Sequence, residues 1–124
     1  MAKRDKRGNA ASFIKLDTWI FDRPAYRRLG PGARSLHWEL IRVFNGHNNG
    51  RLFLSQRLAA ERLGCSRNTV SRYYRELEEA GFITKTRGAC LGPEGVGQAA
   101  HWALTHLGVD GRPATLDFKS RTPA

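Results

Sequence analysis

The sequence predicts a mainly α fold carrying a small β-hairpin, on three observations. Two short helical stretches with serine at their starts and glycine at their ends lie back to back over residues 55–81. A β-rich run follows at Phe82-Ile83-Thr84-Lys85-Thr86, and a second at Ala100-His101-Trp102-Ala103-Leu104-Thr105. The chain has 124 residues, which is room for one domain and one modest core, since domains cluster near ~100–150 residues.

Taken in order, residues 1–12 place Lys3, Arg4, Lys6 and Arg7 beside Gly8 and Asn9, with no apolar stretch behind them. They read as a basic arm and not as a secretory signal. Residues 13–29 mix Phe13, Ile14, Leu16, Trp19, Ile20, Phe21, Tyr26 and Leu29 with charges in neither strand nor helix period, and Pro24 interrupts any helix. An extended piece and a helical turn are expected there. Trp19, Ile20, Phe21 and Tyr26 either cover the next helix or form the partner surface of a homodimer. That helix, 33–45, follows Gly30-Pro31-Gly32, with Leu36, Leu40, Ile41, Val43 and Phe44 at helical spacing and Gly46 as its stop. Asn48-Asn49-Gly50 is a turn, and Arg51-Leu52-Phe53-Leu54 a short strand.

Ser55 caps a helix whose inner face is Leu58, Ala59 and Leu63, ended by Gly64. Ser66 caps helix 67–80, with Val70, Tyr73 or Tyr74, and Leu77 inward and Gly81 as its stop. The two β runs then make a hairpin over 82–105, whose connection holds Gly88, Gly92, Gly95, Gly97 and Pro93. Residues 107–124 read as an irregular tail with Leu116 and Phe118 as its docking residues. The expected divisions are an arm at 1–12, a domain at 13–106 and a tail at 107–124. Helix, strand, helix, helix, strand, strand is the order of a winged helix-turn-helix, with the hairpin as the wing.

Charge narrows the partner. Lys and Arg number 21 against 11 Asp and Glu, a net charge of +10, so a polyanion is the natural complement. Helix 67–80 concentrates this surplus. Arg67, Asn68, Thr69, Ser71, Arg72 and Arg75 share a face, no acid occurs in 66–75, and Glu76, Glu78 and Glu79 come only at the far end. Such a helix suits the major groove, where Arg binds guanine O6 and N7 and Asn binds adenine N6 and N7.

The stretch LAAERLGCSRNTVSRYYRELEEAGFI, 58–83, resembles the winged-helix pattern of bacterial regulators of the gluconate-repressor (GntR) type. Leu-Ala, Leu-Gly, Ser, Thr-Val, Arg, Leu and Gly-Phe-Ile recur there at these offsets. NGHNNGRLFLS, before it, is similar to the entry of winged helices from plasmids and phages, replication initiators included. The resemblance spans about residues 31–105. It implies base contacts from Arg67, Asn68, Thr69, Ser71 and Arg72, and phosphate contacts from Ser55, Gln56, Ser66, Tyr73 and Arg75. Lys85 and Arg87, at the base of the wing, are implied as further DNA-binding residues, with Gln98 on its return, the wing over 82–105 meeting the backbone and minor groove. It further implies double-stranded DNA as the partner, in a transcriptional regulator or in an accessory of replication initiation or excision. A protein-interaction module is the reading from another class. No second, metabolite-sensing domain is expected.

Other chemistries are not supported. His37, His47, His101 and His106 do not combine with Cys65 and Cys90 at zinc-like spacing, so neither a metal nor any other cofactor is expected. Cys65 suits the tight turn between helices. Gly92-Pro93-Glu94-Gly95-Val96-Gly97 lacks the lysine and the following helix of a phosphate loop. Trp19, Trp38 and Trp102 are assigned to the core. No apolar run approaches the ~18 residues that span a bilayer. An enzyme is not expected, and two cysteines, Cys65 and Cys90, that make no disulfide framework suggest a reducing compartment, with the cytoplasm or nucleoid as the expected location.

Overall fold

The computed structural model describes residues 12–87, 90–91, 97–98, 100–109 and 112–119, so the basic arm with Lys3, Arg4, Lys6 and Arg7 lies outside the described residues. After an extended lead-in come α1 (Thr18–Phe21) and α2 (Pro24–Arg27), then α3 (Pro31–Val43), α4 (Gln56–Leu63) and α5 (Arg67–Ala80). The strands are β1 (Ile83–Arg87), β2 (Cys90–Leu91), β3 (Gly97–Gln98) and β4 (His101–Leu104), and a 3₁₀ turn closes the described chain at Asp117–Lys119. This is a mainly helical winged helix-turn-helix, in which an antiparallel hairpin follows the two capped helices.

Helix α3 is displaced by two residues from the expected 33–45. It starts at Pro31, whose missing N–H costs nothing in a first turn. The residue before it, Gly30, donates its N–H to Glu76 Oε2 on α5 at 2.7 Å. A carboxylate from 46 positions away thus sits at the positive end of α3. The helix stops at Val43 because the Asn48 side chain takes the Val43 carbonyl at 3.1 Å while Phe44 turns extended. Gly46 lies beyond the stop. A Cβ on Gly32 would overlap the Tyr73 ring, so glycine is what lets α3 and α5 approach this closely.

The expected strand 51–54 contracts to one bridge. Leu52 exchanges both backbone hydrogen bonds with Trp102, at 3.0 and 2.9 Å, and the chain then leaves the sheet for α4. The wing pairs Ile83 with Leu104, Thr84 with Ala103 and Lys85 with Trp102, and a register irregularity separates Lys85 from Arg87, which pairs with His101. Farther out, Cys90 pairs with Gln98 and Leu91 with Gly97.

The core joins Leu36 and Leu40 of α3, Ala59 of α4, Val70, Tyr74 and Leu77 of α5, and Phe82, Ile83 and Leu104 of the wing. Ile20 and Tyr26 are buried in it, so these two members of the lead-in cover their own chain. Phe118 also enters it, stacked on Phe82 with ring centroids 4.9 Å apart.

Three expected core positions are corrected. Trp102 is 6% exposed, but Trp19 is 44% and Trp38 41% exposed. Trp38 sits off the buried stripe of α3, and its indole N–H reaches only the Tyr26 hydroxyl, at 2.9 Å. Leu58 is 39% exposed, because the short α4 meets the core through Ala59, one residue and about 100° of helix further on.

Candidate nucleic-acid interface

The site is built on two helix starts and a turn. Ser55 Oγ accepts from Leu58 N at 3.0 Å, and Ser66 Oγ accepts from Thr69 N at 3.1 Å, so both helices begin with satisfied side-chain caps. Between them Gly64 adopts φ 71°, a left-handed conformation that favours glycine, and its N–H closes on Ala60 O at 2.9 Å. Cys65, half-buried with a free thiol, packs against the core in this turn.

Helix α5 divides cleanly. Val70, Tyr74 and Leu77 point into the core. On the opposite side Asn68, Arg72 and Arg75 form an exposed stripe, joined at the helix start by exposed Arg67. Thr69 and Ser71 flank the stripe and are half-buried. The geometry therefore brings Arg67, Asn68, Arg72 and Arg75 to one surface, with Thr69 and Ser71 at its margins. Among the described residues no carboxylate pairs with Arg67, Arg72 or Arg75. The first turn of α5 also carries no acid, so its positive helix end is unopposed. Glu79 shares the exposed side farther along, whereas Glu76 is drawn away to Gly30.

The remaining expected residues serve several ends. Ser55 and Ser66 spend an acceptor on their caps, and Ser66 Oγ also lies 2.9 Å from Thr69 Oγ1. Gln56 is exposed at the first position of α4. Tyr73 is half-buried, its ring held over Gly32 at the junction with α3. Lys85 is exposed, with its ammonium 5.4 Å from the centre of the Trp102 ring. Arg87 and Gln98 have their backbones in β1 and β3, and their side chains lie outside the described residues.

Arg57 was not anticipated. It is exposed in the first turn of α4 and meets no carboxylate among the described residues. Its place two residues after the Ser55 cap was the available signal. Arg62, at the other end of α4, is instead shared with Arg42 around Glu39, each pair at 3.7 Å.

Among the described residues no group of three His, Cys, Asp or Glu side chains could hold a metal ion, and no helix is long and apolar enough to cross a membrane. No curated protein and no solved structure shows significant similarity to the chain. Residues 27–83, which run from the end of α2 to the first residue of β1 and contain the whole of this site except the wing, match the family model of a helix-turn-helix domain, a fold that implies DNA binding.

Proposed function

We propose that the protein is a sequence-specific binder of double-stranded DNA that acts as a transcriptional regulator. In this reading α5 enters the major groove, and the wing over 82–105 follows the backbone and minor groove. The observation that carries it is the exposed, acid-free N-terminal half of α5 and its continuation to Arg75, where Arg67, Asn68, Arg72 and Arg75 stand together with no carboxylate partner among the described residues. Unpaired cations along one helix face, with Arg67 beside the helix N-terminus, are what a phosphate backbone and guanine edges complement. Arg67, Asn68 and Arg72 take the bases, with Thr69 and Ser71 at the edges of the contact. Ser55, Gln56, Ser66 and Arg75 take phosphates, joined by Arg57.

Single replacement of Arg67, Asn68 or Arg72 by Ala is expected to weaken a selected duplex by roughly 1–3 kcal/mol and to relax the preference at one base position. Replacing Arg57 or Arg75 is expected to weaken all duplexes alike and to flatten the salt dependence by about 0.9 in log–log slope per phosphate lost. Fluorescence anisotropy over a panel of single-base variants and a salt series reads both effects. Absence of duplex binding at low salt would favour a protein-interaction module. A genome-wide binding profile separates the roles: sites at promoters support regulation, and clustered repeats at an origin or attachment site support replication or excision.

A further inference from the structure

Trp102 ties α5, the entry to α4 and the wing together. Its backbone exchanges two hydrogen bonds with Leu52, just before α4, and its cross-strand partner in the wing is Lys85. Its ring stacks on Tyr74 of α5, with centroids 5.2 Å apart and planes 18° from parallel. Tyr74 is fixed in turn, because its hydroxyl donates to Leu54 O at 2.7 Å. The Lys85 ammonium lies 5.4 Å from the centre of the same indole. Immediately beyond Lys85 the register of the wing breaks, a place where a strand changes direction.

We propose that Lys85 and Trp102 are positioning residues that set the angle of the wing to α5, with Lys85 acting as a cation on the indole and not as a phosphate ligand. This rests on the DNA-reading assignment of α5. Tyr74 lies on the same helix as Arg72, two residues on, so the ring that receives Lys85 is also seated on the groove-reading element. A wing held at this angle reaches the backbone beside the site that α5 occupies. With the ammonium gone, the strand loses one of its ties to the indole at the point where it bends, and the outer wing samples other directions. The same argument makes arginine an acceptable substitute, since a guanidinium also binds an aromatic face.

The test compares the full-length protein with Lys85→Met and Lys85→Arg on a selected duplex, by salt-dependent affinity and by hydroxyl-radical footprinting. Lys85→Met is expected to bind about 2- to 5-fold more weakly, the size of one exposed cation–π contact. Protection should be lost only at the wing-side sugars, and any fall in its salt slope should accompany that loss. Lys85→Arg should restore that protection. A slope reduced by about 0.9 in Lys85→Met with the wing-side protection intact would make Lys85 a direct phosphate ligand and overturn the proposal. An unchanged footprint in Lys85→Met would overturn it equally. Both outcomes leave α5 as the reading helix. Failure of the unaltered protein to bind any duplex would remove the DNA-reading assignment and this proposal with it.

Discussion

Acidification below pH 6.5 is expected to destabilise the protein, and His37 is the main reason. Its side chain is fully buried among Tyr26, Phe82 and His106, and neither ring nitrogen has a hydrogen-bond partner. Burial, reinforced by the neighbouring His106, pushes its pKa down to about 3. The unfolded chain binds a proton on this histidine below a pKa of about 6.5, and the folded chain does not until far lower pH. The stability this neutral ring permits is therefore complete above pH 6.5. It falls by about 1.4 kcal/mol per pH unit below that value, down toward pH 3. By pH 4.5 the loss is about 3 kcal/mol, a large share of a small domain's stability. His106 acts in the same direction, because burial lowers its pKa, against a smaller opposing pull from Asp17. Urea unfolding of the protein and of His37→Leu at pH 7.5 and 4.5 checks this. The variant should lose much less stability on acidification, and equal losses in the two proteins would show that His37 is not the acid-sensitive group.

Asn49 is expected to be among the most costly polar residues to replace. It is only 2% exposed, although it lies in what reads as a surface turn. Its Oδ1 accepts from Leu104 N at 2.7 Å, and its amide nitrogen donates to Leu104 O at 3.0 Å and to Leu107 O and Gly108 O at 3.1 Å each. Two amide hydrogens serve three carbonyls, so one hydrogen is shared. The side chain thereby joins the α3–α4 connection to the end of β4 and the chain that follows. Asn49→Ala would strip the side-chain partner from the buried Leu104 N–H and from the part-buried Leu107 and Gly108 carbonyls, while Leu104 O keeps Leu107 N, at roughly 1–3 kcal/mol for each group that water cannot reach. Asn49→Asp should be worse, since a carboxylate would face three carbonyl oxygens with no donor to offer them. Urea midpoints should fall in the order native, Ala, Asp. An Asp variant as stable as the native protein would contradict this hydrogen-bond assignment.

These two residues also mark where sequence reading ran out. Helix α5 was legible from end to end, because its cap, its 3.6-residue period and its closing glycine all lie within 66–81. The same period gives a face of Arg67, Asn68, Thr69, Ser71, Arg72 and Arg75, of which Thr69 and Ser71 are half-buried at the margins, and it gives the inward Val70 and Leu77. Asn49 looked like turn chemistry, since asparagine beside glycine is a local signal, while its partners stand 55 to 59 positions away. Glu76 read as part of an acidic helix end for the same reason, with its partner 46 positions upstream. The strand at 51–54 carried the right residue types, yet only Leu52 finds a neighbour to pair with. Tryptophan is usually buried by its size, but burial of Trp38 is decided by which side of α3 faces the core, and the irregular lead-in obscured that. In the candidate site the residue types were readable. The contact of Lys85 with Trp102, and through that ring with Tyr74, depends on wing register and was not.

The central claim is that α5 reads the major groove of duplex DNA, and methylation interference tests it most directly. A duplex selected from a random pool is lightly methylated with dimethyl sulfate, which marks guanine N7 in the major groove and adenine N3 in the minor groove. Bound and free fractions are then compared. Arg67 and Arg72 stand exposed in the first half of α5, so on this account guanine N7 methylation should exclude duplexes from the bound fraction at one or more positions at the centre of the footprint. Binding indifferent to every guanine N7 but blocked by adenine N3 methylation at the footprint's centre would place the recognition surface in the minor groove and contradict the account.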